Sequence, residues 1–355
     1  SEFNETVQGW FDAASGFGRI GSAIGNAWSS VVETVGGWFS SSGEQQTMNP
    51  VQVISDDNSY SAQIRKLKEL EQAGKDKNLI NKFMEYQAKI NAKETANKDK
   101  AAKGEGYTVF DSTEEAVDYI QTKKELGLPL DANDARMLVQ SMKQMKEGGH
   151  FAKEIENFIW KNKDKFQSLK IEGLDFNKKE SITALAQRLS AGSCFINTMF
   201  SNIVLSSVTD GAPKSWGDMY LKALENGLIS KNDGISSTQY MNTRKGVQAW
   251  VDGIIGKDVN GNSKLKVDGY FKNERTPDMD VMQKIQQLAT RGVFASGGRF
   301  KENHHSMTQV LMGGTWGIMD TGWPKDSKAR PFGDRYSQWY KRDDTYSFWI
   351  LTPYN

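Results

Sequence analysis

Apolar residues return every three or four positions through most of the chain, then in short alternating runs near its end. The first spacing marks one face of a helix and the second a half-buried strand. In "STEEAVDYIQTKKELG", Ser112 stands three residues before Glu115, a capping-box pattern, and Gly127 predicts the stop. "DANDARMLVQSMKQMKEGG" starts at an Asp cap and ends in Gly-Gly, and "HFAKEIENFIWKNKDKF" follows with His150 opening a further helix. After Ser181, "ITALAQRLS" predicts a short helix or an approach loop. The strand type appears in "MTQVLMG", "TWGIMDTG" and "TYSFWILTP", and Gly313-Gly314 between the first two predicts a hairpin. Helices first and an antiparallel sheet last is the order of an α+β domain.

The pattern also divides the chain. Residues 1–48 are rich in Gly, Ala and Ser, with Trp10, Phe17, Ile20, Trp28, Val35 and Trp38 at helical spacing. "VQGWF" at 7–11 returns as "VGGWF" at 35–39, which suggests a docking or assembly segment. Membrane contact by residues 7–39 is the alternative, and the stripe lacks the basic flank that anionic lipid favours. Residues 49–106 predict a polar linker and a charged helical hairpin, broken near Ala73-Gly74. Glutamates interleave with its lysines, so a solvated face is expected rather than a nucleic-acid surface. Residues 107–355 are expected to hold a helical subdomain and a second domain whose core spans about 181–355.

Composition narrows the chemistry. A net charge of +1 over 355 residues gives no overall pull toward nucleic acid. One cysteine excludes an intrachain disulfide framework and a zinc site of several cysteines. Histidine chemistry must come from His150, His304 or His305. "DVNGNSKLKVDG" at 258–269 is expected to be an Asx- and Gly-rich turn between short strands, without calcium-loop spacing. No cofactor and no metal are expected. No signal peptide or membrane-spanning run is visible, so the expected location is cytoplasmic, or outside the cell as part of a larger delivered protein.

The remaining candidate is Cys194, in "RLSAGSCFINTMFSNIVLSS". Phe195, Ile196, Met199, Phe200, Ile203 and Val204 follow it at the spacing of a helix with a broad buried face. Ser193 can cap that helix, which puts the thiol in the first turn, where unpaired N–H groups and the macrodipole favour the thiolate. A buried core cysteine is the competing reading. The balance shifts with "ENHHSMTQVLMGGTWGIMDTGW". A hairpin there would bring the start of its first strand near the end of its second, so His305 and Asp320, 15 residues apart, can meet. His305 would take the thiol proton and Asp320 would hold the imidazole.

"GSCF" at 192–195 resembles the Gly-Ser-Cys-Trp segment that opens the central helix of papain-like cysteine peptidases. The order Cys, His, Asp and the "DTGW" at 320–323 resemble the family as well, in its bacterial Cys-His-Asp branch. The resemblance implies an α+β papain-like domain and acyl transfer through a thioester on peptide or isopeptide bonds. It also implies an oxyanion hole formed by Gln187 and the backbone N–H of Cys194, with Trp323 shielding the His–Asp pair. His305, Met307 and Val310 follow the family's His-x-Val-x-x-Val, which selects His305 over His304. The same triad serves transglutaminases and glutamine deamidases. The head segment and the later position of this domain suggest an effector or toxin, with a protein or peptide substrate and an inhibitor or immunity protein as partners. A non-enzymatic helical assembly protein with a structural Cys194 is the alternative from another class.

Overall fold

The computed structural model describes residues 67–102, 107–128, 130, 132–147, 150–190, 194–206, 208–234, 240, 243–272, 294–300, 305–312, 315–319 and 346–353. These are mostly helical. The helices are α1 (Lys77–Ala96), α2 (Thr113–Glu125), α3 (Ala132–Glu147), α4 (His150–Lys161), α5 (Lys163–Ser168), α6 (Lys179–Ser190), α7 (Cys194–Leu205), α8 (Trp216–Glu225) and α9 (Arg244–Ile255). Residues 98–102 add one short turn of helix.

The caps follow the sequence pattern with one shift. Ser112 accepts a hydrogen bond from Glu115 N–H at 3.1 Å, as a cap should. The Glu115 carboxylate reaches back to Asp111 N–H at 3.1 Å, one residue before the cap. The start of α8 repeats the device: Ser215 accepts from Asp218 N–H, and the Asp218 carboxylate accepts from Lys214 N–H. Gly127, with φ 70, ends α2 in the left-handed conformation that costs glycine little. The turn at 73–74 interrupts the helical residues as expected, with Gly74 at φ 78. "ITALAQRLS" belongs to the 12-residue helix α6, which starts before Ser181.

The helices pack as a layered core. α1 lies on α2, α2 on α3, and α4 contacts α3, α6 and α8. Tyr86 of α1 stands edge-on to Phe110 and Tyr119. Its hydroxyl donates to Asp118, and burial followed by that bond raises its pKa. Between α2 and α3, Lys123 meets Asp134 at 2.7 Å with both side chains almost fully buried, and Tyr119 donates to the other Asp134 oxygen. Removing either ion would take away the other's buried counter-charge, a costly change inside a core. α8 approaches α4 so closely that a Cβ on Gly217 would lie 2.3 Å from Phe158 Cγ.

Among the described residues five strands follow, β1 (Leu265–Lys272), β2 (Phe294–Phe300), β3 (His305–Met312), β4 (Thr315–Met319) and β5 (Tyr346–Pro353). They pair antiparallel in the order β1-β5-β2-β3-β4. β3 and β4 close on the pair Met312–Thr315, so two residues connect them, as the Gly-Gly signal predicts. β2 escaped the sequence pattern, and β1 begins inside the stretch 258–269, expected to be a turn between short strands. β2 reads "FASGGRF", whose glycines blunt the strand signal, and β1 carries a register shift between Val267 and Gly269.

β1 is an edge strand, and α9 covers part of that edge with side chains. Gln248 donates to Leu265 O at 3.0 Å and accepts from Val267 N–H at 2.8 Å. Arg244 donates to Val267 O at 2.8 Å. The amide thus stands in for a neighbouring strand, one way to manage an exposed ladder.

Candidate functional site

Among the described residues, α7 is a thoroughly enclosed helix beside the sheet. Every residue from Phe195 to Leu205 is buried, while Cys194, its first residue, is half-buried. The helix packs against β2 and β3 and also against α2 and α3. Phe195 meets the Trp250 ring of α9 edge-on at 5.3 Å, which sets the two sheet-contacting helices beside each other. The strand that α7 meets, β3, begins at His305, which pairs with Phe300 of β2. β4 ends at Met319, opposite Thr308 and one residue before Asp320 in sequence. The fold therefore brings the helix headed by Cys194 against the strand headed by His305.

Gln187 is exposed on α6, and three residues separate the end of α6 from Cys194. His304, Asp320 and Trp323 lie outside the described residues, as does Ser193. His150 opens α4 as expected. Asp258 organises the predicted Asx turn. Its carboxylate accepts from Asn260 N–H and Asn262 N–H, both at 2.8 Å, and the Asn262 bond leads in holding its pKa down. The turn precedes β1 and is closed by a bridge between Lys257 and Ser263.

Polar residues on α7 are the feature that periodicity missed. Asn197, Thr198, Ser201 and Asn202 are all buried on this largely apolar helix. Thr198 returns its hydroxyl to Cys194 O at 2.8 Å, and Ser201 bonds back to Asn197 O at 3.0 Å. Asn197 accepts the indole N–H of Trp216 at 2.8 Å. The Trp216 backbone N–H donates to Thr113 Oγ1 at 3.0 Å, and that hydroxyl donates to Glu154 Oε1 at 2.6 Å. Thr113 N–H also donates to Glu154 Oε1, at 2.9 Å. The buried Oε2 of Glu154 has no hydrogen-bond partner. Burial raises the Glu154 pKa against the opposing Thr113 bonds. Asparagines inside the apolar run "CFINTMFSNIVL" were the available signal, since buried amides require partners.

No family model, no curated protein and no solved structure matches this chain. Among the described residues, no group of three His, Cys, Asp or Glu is placed to hold a metal ion, and no helix is long and apolar enough to cross a membrane.

Proposed function

We propose that this chain is a papain-like cysteine hydrolase acting on peptide or isopeptide bonds, of the kind found in bacterial effectors and toxins. The observation that carries the reading is the packing of α7, which starts at the only cysteine, against β3, which starts at His305. A thiol at a helix start is the position where backbone N–H groups favour its anion.

The chemistry then runs in two halves. His305 takes the Cys194 proton, and the thiolate attacks the substrate carbonyl carbon. The oxyanion is held by the Cys194 backbone N–H and the Gln187 amide. His305 returns the proton to the leaving amine, the C–N bond breaks, and a thioester remains. Water, deprotonated by His305, attacks the thioester and releases a carboxylic acid and the thiol. Asp320 holds the imidazole tautomer throughout.

The test is the pH dependence of Cys194 alkylation by iodoacetamide, paired with cleavage of a mixed peptide library. The expected midpoint lies below about 8.5, the ordinary cysteine value. His305→Ala should raise it, His304→Ala should not, and Cys194→Ala should abolish turnover. A midpoint at the ordinary value, or turnover that survives Cys194→Ala, refutes the reading. A gain of about one mass unit on a glutamine peptide, without cleavage, would instead assign the same thiol to deamidation.

A further inference from the structure

The four-residue chain from Glu154 to Asn197 has a consequence for the thiol. Asn197 lies three residues after Cys194, which places both on neighbouring lines of the same helix face. Whatever fixes the Asn197 side chain also fixes the rotation of the turn that carries the sulfur. Trp216 does this with both of its N–H groups. The indole N–H holds Asn197 at 2.8 Å, and the backbone N–H holds Thr113 at 3.0 Å. Trp216 is fully buried at the start of α8, so it has little freedom to relax. Thr113 begins α2 and is bonded twice to Glu154 of α4. One line of hydrogen bonds therefore joins the first turn of the cysteine helix to three separate helices.

We infer that Trp216 is a positioning residue for Cys194, acting through Asn197, and that α2, α4 and α8 are a permanent scaffold of the reactive thiol. This rests on the hydrolase reading above. It implies that the helical layer is not a removable propeptide, because detaching it would leave the Asn197 amide without its indole partner inside the core. Small displacements of a reacting group are expensive in rate, so a fixed turn matters more for the thiol than for overall stability.

The test uses Trp216→Phe, which keeps an aromatic body and removes the indole N–H. Thr113→Val, which removes the middle hydroxyl, is the second variant if the first fails to fold. Phe83→Leu in α1 serves as a control for general destabilisation. Two quantities are read in the intact chain: amide hydrogen exchange over residues 194–200, and the pH profile of Cys194 alkylation. Trp216→Phe should speed exchange there by about tenfold, shift the alkylation midpoint, and slow the neutral-pH rate by roughly fivefold. Phe83→Leu should leave the profile in place. If exchange rises in Trp216→Phe but the alkylation profile does not move, the bond is structural only and the positioning role is overturned. If neither changes, the tie itself is overturned, while a depressed wild-type midpoint would leave the hydrolase reading standing. A wild-type midpoint at the ordinary value overturns the hydrolase reading and the positioning role together.

Discussion

Gln248 is the sharpest place to test the structure by substitution. Its side chain gives one donor to Leu265 O and one acceptor to Val267 N–H, and it also donates to Asp252 Oδ1 at 2.9 Å. Gln248→Ala strands one backbone acceptor and one backbone donor on β1, at residues that are fully buried. Each unmade buried hydrogen bond costs about 1–3 kcal/mol. Gln248 itself is half-buried, so water entering the vacated space recovers part of that cost. A loss of about 2–3 kcal/mol is the expected sum. Gln248→Glu is the discriminating variant. It keeps the acceptor for Val267 N–H but turns the donor into an oxygen facing Leu265 O and Asp252. At neutral pH it should be no better than alanine, and it should recover as pH falls toward about 4, where the new carboxyl protonates. Urea unfolding followed by circular dichroism measures both. Gln248→Ala within about 0.5 kcal/mol of wild type, or Gln248→Glu equal to wild type at neutral pH, would refute the edge-capping argument.

Gly217→Ala should destabilise by about 1–3 kcal/mol in thermal unfolding, because the new methyl would sit 2.3 Å from Phe158 Cγ and 2.6 Å from Phe158 Cβ. A neutral or stabilising result would refute the close approach of α8 to α4 at Phe158. Lys124 donates to Val208 O at 3.1 Å, and burial pulls its pKa down to about 7. Its folded pKa lies below its unfolded value, so the folded state binds fewer protons between about pH 7 and 10. Stability from this group therefore rises with pH across that window and is lowest below it. Lys124→Met should gain on wild type as pH falls from about 10 to 7, and a pH-independent difference between the two proteins would sink the assignment.

Where the sequence was legible, one local rule governed the element. Ser112 and Gly127 bracket α2 because capping and left-handed backbone are properties of single residues. The β3–β4 hairpin was legible because a two-residue glycine connection sets its own register. The start of α7 at Cys194 followed from apolar spacing in the same way. What stayed hidden depends on partners distant in sequence. β1 pairs with β5 across some eighty residues, and no local pattern marks that choice. Trp216 reaches Thr113 across 103 residues, so its role as a bridge is invisible in "KSWGDMY". For the candidate site, the order of Cys194 and His305 was readable, while the packing of their two elements was not, because periodicity gives a face but not its neighbour.

The position of β5 constrains the order of assembly. It lies between β1 and β2, although it comes after the other four strands of the described residues. Until residues 346–353 have left the ribosome, β1 can dock on α9 and the β2–β3–β4 unit can form, but the strand that pairs with both β1 and β2 is missing. α7 packs on β2 and β3, so it can be covered before β5 is made, while β1 and β2 each wait for their shared partner. A chain interrupted before β5 would therefore leave β1 and β2 each with an unpaired ladder, the kind of bare edge that recruits strands from other chains.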